Sequence, residues 1–327
     1  MTVSSNGTKA PSSGAALDWE VTGGGARHEG SIPLPELPEG ELTQAGSAVW
    51  EPVAADKAYK LTLRVALRHD GQSINTNAWS FWAFPQLPGL SPTGDASRPE
   101  KAGNVVPHGV LLRTGPARDA AIPQDTRLVI ADAADTTLAD YIQAGGRCIL
   151  NSRDAVIENR RDNFGIFRTI PWNRGTSGNS GTVISDHPAM ALFPHEGVCD
   201  LPFVPLISGY RPMEFESLRP YGVTPIIRCI DHYVANRNNA YMLEFRLGKG
   251  SVLATSLGIL DQLSKHVQAR YLLHCLVDYA RGRKLEPPAA VPRDEFLRLF
   301  QSRTDGEAAC VPNPVIAFDN GLDHGSG

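Results

Sequence analysis

The 327-residue sequence predicts two domains of different class: an N-terminal antiparallel β-sandwich, followed by an α/β domain with a mostly parallel sheet. Three observations carry this. Up to residue 85 the apolar residues alternate with polar ones, the period of half-buried strands. Residues 86–104, QLPGLSPTGDASRPEKAGN, are crowded with Pro and Gly and poor in apolar side chains, which marks a linker. Beyond it come short unbroken apolar runs separated by a helical pattern, the wording of strands buried on both faces.

The elements follow in order. Residues 1–15 are Gly- and Ser-rich and are expected to be loose. Residues 16–85 form the sandwich. There LTLRVALR sets Leu61, Leu63, Val65 and Leu67 on one face against Thr62, Arg64 and Arg68, and HDG supplies a turn. NAWSFWAFP then alternates Trp79, Phe81 and Ala83 with Ser80, Trp82 and Phe84, bulk that suits packing on a second layer. The α/β domain is expected over 105–285. GVLLRT and RLVIAD are its first strands, and TTLADYIQAGG is a helix opened by a Thr cap and closed by Gly145 and Gly146, before the strand RCILNS. PIIRCI is a further strand, and AYMLEFRLGKGSVLATSL is two strands folded about Gly248-Lys249-Gly250. A helix over about 264–281 puts Val267, Tyr271 and Cys275 on one stripe and stops at Gly282. Residues 286–327 read as a C-terminal extension whose last stretch, EAACVPNPVIAFDNGLDHGSG, is loose.

Composition narrows the function. With 42% apolar and 20% charged residues the chain has ordinary globular usage. Lys plus Arg number 31 against 35 for Asp plus Glu, a net charge of −4 without a basic run, so nucleic acid is not an expected partner. No apolar window is long enough to span a membrane, and the first residues lack the layout of a signal peptide, so a soluble chain is expected. The five cysteines, 148, 199, 229, 275 and 310, are widely spaced and never in a Cys-x-x-Cys pair. A disulfide framework and a zinc ribbon are therefore not indicated, and no cofactor is.

Four segments in order resemble a known family: WSFWAFP, AGGRCILNS, SGTVISDHPAMALFPHEGVCDLPFVPLI and IDHYVANRNNAYMLEFRLGKGSVLATS. Together, over about residues 45–285, they resemble the C-terminal accessory region of bacterial glycoside hydrolase family 2 proteins. The resemblance implies an Ig-like sandwich, then a flavodoxin-like domain related to the glutamine amidotransferase fold, in a periplasmic or secreted parent, with a cytoplasmic location left open. It implies no catalytic residue here: family 2 chemistry uses two glutamates on a (β/α)₈ barrel, and a barrel needs about 250 residues.

Candidate site residues fall in three groups. The stretch HPAMALFPHEGVCD (187–200) offers His187, His195, Glu196 and Cys199. As zinc ligands His187, His195 and Cys199 are weakened by two prolines and the apolar run between the histidines. The plainer reading has Asp186 capping a short helix from Ala189 to Phe193, with Pro188 in its first turn. A second group would be nucleophilic, Cys148 with His195 and Glu196, but Cys148 lies inside a strand; Cys199, in an expected loop, is the better reactive thiol. The third group is two polar, aromatic loops: Trp172, Asn173 and Arg174 in TIPWNRGTSGNSG, and Asp231, His232, Tyr233 and Arg237 in DHYVANRNN. These have the chemistry of a sugar site, although Asp231 and Arg237 could equally pair to stiffen their loop.

Two functions remain open: a non-catalytic module supporting or orienting a glycan hydrolase, with carbohydrate or a glycosidase catalytic domain as partner, or a free-standing hydrolase of glycosides or esters acting through the α/β domain. A lectin-like binder or a homo-oligomer is compatible with the same residues.

Overall fold

A computed structural model describes residues 1–4, 14–35, 40–85, 87, 109–115, 121–152, 181–231, 237–282 and 285–301. They belong to two units, Met1–Gln86 and Leu87–Gly327.

The first unit holds β1 (Thr2–Ser4), β2 (Ala16–Gly23), β3 (Ala26–Pro33), β4 (Leu42–Gln44), β5 (Tyr59–His69) and β6 (Gln72–Ala83). Four of these make an antiparallel sheet in the order β3-β2-β5-β6, while β1 and β4 form a separate ribbon. The β5–β6 hairpin closes through Asp70 and Gly71, whose φ of 49° and 73° give the left-handed turn that matches strand twist. Register places Leu17 opposite Leu67, Val21 opposite Leu63 and Leu61 opposite Phe81, so the alternating apolar residues share one face. Met1, Val3 and Ala45 cover one end of that face and Trp50 the other. The opposite face is charged, with Arg27 on Glu20 and Arg68 on Asp18, each at 2.7 Å.

The all-β class expected for this unit holds: among the described residues the four-stranded antiparallel sheet is covered by the small two-stranded β1–β4 sheet and the Trp50 segment; alternation establishes that one face is buried without specifying what buries it. Thr2–Ser4, inside the stretch expected to be loose, pairs with β4.

The second unit begins with β7 (Val110–Arg113), β8 (Leu128–Ala131), α1 (Thr136–Gln143), β9 (Arg147–Asn151), β10 (Gly181–Ile184), α2 (Val204–Ile207) and β11 (Met213–Glu214). It continues with β12 (Pro225–Ile230), β13 (Asn238–Leu247), β14 (Gly250–Thr255), α3 (Ile259–Gln262), α4 (Val267–Arg281) and α5 (Arg293–Phe300). Its mixed sheet runs β10-β12-β13-β14-β9-β8-β7, with β11 also on β13. The β14-β9-β8-β7 half is parallel and contains the β8-α1-β9 unit that the sequence predicts. The other half is antiparallel and extends the sheet beyond the flavodoxin-like expectation.

Both faces are covered. Cys148, Leu150, Val252, Ala254 and Phe245 pack with Leu138 and Ile142 of α1 and with Phe296 and Phe300 of α5. Alternation turns Ile149 and Glu244 to the other face, where α4 packs on β9. Double burial is why these strands read as unbroken apolar runs: every residue of β8 and β14 is buried. Two details differ from expectation. The cap of α1 is Asp135, whose carboxylate accepts from the Leu138 amide at 2.7 Å, one residue before the expected Thr. And α5, which a boundary at 285 leaves in the C-terminal extension, belongs to the core. No helix among the described residues is long and apolar enough to cross a membrane.

Candidate functional site

The stretch 187–200 leaves β10 and returns to it. Ile184 N–H donates to the Gly197 carbonyl at 2.8 Å, and Cys199 N–H donates to Thr182 Oγ1 at 2.8 Å. Between these anchors the expected helix from Ala189 to Phe193 is replaced by consecutive tight turns, with the Met190 amide on the His187 carbonyl at 2.9 Å and the Phe193 amide on the Met190 carbonyl at 3.1 Å. The cap is not Asp186: His187 Nδ1 accepts from the Ala189 amide at 3.2 Å. Ala189, Met190 and Phe193 are buried, and the Phe193 ring meets Phe203 edge-on with centroids 4.9 Å apart. The apolar run between the histidines is what fastens the stretch.

The other nitrogen of His187 lies 3.2 Å from Glu244 Oε1, and Tyr279 donates to Glu244 Oε2 at 2.6 Å. Glu244 interrupts an apolar strand and is 12% exposed, so its charge needs these donors. Burial pushes the Tyr279 phenol above its ordinary range, and its hydrogen bond to the carboxylate adds to the effect. Because Nδ1 accepts from a backbone amide, Nε2 is the nitrogen that carries the proton to Glu244. In a nucleophile-activating triad the imidazole's second nitrogen must face the substrate. Here it faces the chain's own turn, and the cluster ties the 187–200 stretch to β13 and α4. Sequence reasoning named His187 but missed Glu244 and Tyr279; the available signal was a carboxylate in the middle of AYMLEFRL. It also missed Arg113, 1% exposed, whose guanidinium forks onto Asp135 at 2.9 and 3.3 Å.

His195 Nδ1 accepts from the Gly197 amide at 3.1 Å, and Glu196 is exposed. Among the described residues no three His, Cys, Asp or Glu side chains group to hold a metal ion. Cys199, the thiol expected to be reactive, is buried, and that burial pushes it up to about 12. Burial likewise pushes Cys275 up to about 12 and raises Cys148 further. The correction has a physical cause: a segment without regular structure need not be exposed, and an apolar wall suppresses the thiolate that reactivity requires.

Gly181, Asp231 and Arg237, the described residues of the two polar stretches, lie at one edge of the sheet. β12 runs with β14 and β9, because each is separated from the next by antiparallel or parallel neighbours that restore its direction. The ends of β9, β12 and β14 and the start of β10 therefore share the carboxyl edge, where open α/β sheets bind ligands. Asp231, at this edge, has a fully buried carboxylate that accepts from Arg237 Nε at 2.7 Å, from Arg237 Nη2 at 3.1 Å and from the Arg237 amide at 2.8 Å. That fork closes the 231–237 loop. Trp172, Asn173, Arg174, His232 and Tyr233 lie outside the described residues. Also at this edge, Asn151 donates to the Thr255 and Leu257 carbonyls at 3.2 and 2.7 Å. The buried hydroxyls of Ser152 and Ser256 find no hydrogen-bond partner among the described residues.

A fold of one one-sided antiparallel sheet and one two-sided mixed sheet, its carboxyl edge built from Asn151, Asp231 and Thr255, is accompanied by two family matches. The model of the family described as domain of unknown function DUF8487 matches residues 129–301, more than half of the chain, and the chain belongs to that family. A second model, domain of unknown function DUF8488, matches residues 4–85. No curated protein matches. Among solved structures the exo-beta-1,4-mannosidase Op5Man5 from Opitutaceae bacterium strain TAV5 is similar at 13% identity and a TM-score of 0.24, over 50% of this chain and 27% of that one. The chain thus spans about a quarter of the length of that mannosidase.

Proposed function

We propose that the chain is a non-catalytic accessory module of a carbohydrate-active enzyme, of the glycoside hydrolase family 2 type, that supports or orients glycan hydrolysis through contact with carbohydrate or a glycosidase catalytic domain. The observation that carries this reading is the commitment of reactive-looking side chains to the fold. His187 is held at both ring nitrogens, Asp231 is forked by Arg237 and Cys199 is sealed in the core. The four ordered sequence segments that resemble the family 2 accessory region supply the carbohydrate part of the proposal, including its flavodoxin-like relationship.

One observation favours a second reading, a free-standing hydrolase of glycosides or esters: the buried Ser152 and Ser256 hydroxyls at the carboxyl edge. Turnover by the full chain on aryl glycosides, aryl esters and natural polysaccharides separates the two. The module reading expects none above background. Hydrolysis abolished by Ser256→Ala, His195→Ala, Cys199→Ala or Asp231→Ala would place an active site in the α/β unit and end that reading.

A further inference from the structure

The opposite edge of the eight-stranded sheet, where the parallel strands begin, carries two adjoining hollows of about 470 and about 710 Å³ that share Gly145 and Arg147. Volumes of this order accommodate small ligands. Their walls hold five cations, Arg127, Arg147, Arg246, Lys249 and Arg281, against a single carboxylate, Glu286. Arg27, Arg68, Arg113, Arg219, Arg237, Arg293 and Arg298 each pair with a carboxylate. None of the five does so among the described residues, nor do Arg64, Arg211, Arg228 and Arg270 elsewhere, but only here are such cations gathered on the walls of adjoining hollows.

Part of this charge has an internal purpose. Helices α1 and α4 end at this edge, and their terminal carbonyls attract cations. Arg147 answers them directly: its Nη1 donates to the Ala280 and Arg281 carbonyls at 2.9 and 3.1 Å and also reaches the Gly282 carbonyl. Arg246 donates to the Pro288 carbonyl at 3.2 Å. Arg127, Lys249 and Arg281 are exposed, and the helix ends do not need all three. The larger hollow also contains an aromatic wall. Tyr141 lies so close over Gly146 that a Cβ at 146 would overlap the ring, and its hydroxyl reaches the Thr126 carbonyl at 3.3 Å. A fixed ring beside unpaired guanidinium and ammonium groups suits a ligand with a C–H face and an oxyanion.

We infer that these adjoining hollows bind an acidic saccharide, one sugar ring stacked on Tyr141 with its carboxylate or sulfate taken by Arg127 and Arg281 in the larger hollow, and a neighbouring acidic group taken by Lys249 in the smaller. The saccharide part rests on the carbohydrate reading proposed above; the anion part does not. Calorimetric titration of the full chain at low salt tests it, with trigalacturonate and a sulfated trisaccharide as the two acidic probes, and with maltotriose, inorganic sulfate and a single-stranded oligonucleotide as comparators. The expected result is that at least one acidic saccharide binds and that its affinity falls with added salt. Arg127→Glu with Lys249→Glu should weaken it at least about tenfold, whereas Lys265→Glu, beyond the other end of α4, leaves it unchanged. Tyr141→Leu should weaken saccharide binding and leave sulfate binding as it was. Absence of binding by both acidic probes, indifference to the double substitution, or equal affinity for sulfate or the oligonucleotide overturns the inference. Hydrolysis of neutral glycosides by the chain would instead sink the module reading and leave this titration standing.

Discussion

The two edges of the eight-stranded sheet use charge in opposite ways. At the carboxyl edge the ionic groups are buried and matched: the Asp231 carboxylate is fully enclosed and forked by Arg237. At the amino edge they are exposed and unmatched, as with Arg127, Lys249 and Arg281 around the hollows. A buried pair is a structural commitment, because removing one partner strands the other in a low-dielectric interior. An exposed cation without a carboxylate is available to a ligand and contributes little to stability. The residues with the most suggestive chemistry in the sequence are therefore the ones the fold consumes.

Four expected effects sharpen this contrast. Arg237→Ala should have the largest effect, about 3 to 5 kcal/mol of stability lost, because Asp231 stays buried without its fork; Asp231→Asn with Arg237→Ala should recover part of it, and chemical denaturation measures both. Glu244→Leu comes next, at about 2 to 4 kcal/mol, since the Tyr279 hydroxyl and His187 Nε2 lose their acceptor in the core. A pH-dependent effect, small near neutral pH, is expected from Cys199. Folded, its thiol is held at about 12, whereas an unfolded thiol titrates near about 8.5. The folded state keeps the proton more tightly, so this stabilisation is complete below about pH 8.5 and drains as pH climbs toward the folded value. Thermal midpoints followed from about pH 8 to about pH 11 under reducing conditions should decline, and less steeply in Cys199→Ala. Smallest of all, Lys249→Ala and Arg281→Ala should stay within about 0.5 kcal/mol of the parent.

Thiol chemistry offers a check independent of stability. Peptide-resolved iodoacetamide labelling of the folded chain near neutral pH should leave Cys148, Cys199 and Cys275 unmodified until denaturant is added. Prompt labelling at Cys199 would reopen the case for a reactive site in the 187–200 stretch.

What could be read from the sequence divides along the same physical line. Strands buried on both faces announce themselves: β8, β9 and β14 hold short unbroken apolar runs, and β12 and β13 hold apolar runs interrupted only by Arg228 and by Glu244 and Arg246. The β5–β6 hairpin was equally legible through its alternation and its Asp-Gly turn. The ribbon of β1 and β4 was not, because three-residue strands carry no period. Helix α5 has Phe296, Leu299 and Phe300 on its buried side, but the stop of the preceding helix at Gly282 and the loose composition of the last residues set the expected boundary ahead of it. At the site, composition identified His187, Asp231 and Arg237 as chemically notable. Their fates depended on partners: Arg237 is six residues from Asp231 and could be foreseen as a local pair, whereas Glu244 is 57 residues from His187 and could not.

Thermal unfolding of Arg237→Ala beside the Arg127→Ala, Lys249→Ala double variant, in one buffer and against the parent chain, tests the opposition between the two edges most directly. The expected midpoint is lowered by roughly 10 °C for the first and essentially unchanged for the second. An unchanged midpoint in Arg237→Ala together with a large drop in the amino-edge variant would contradict that opposition, placing the structural commitment at the edge assigned here to binding.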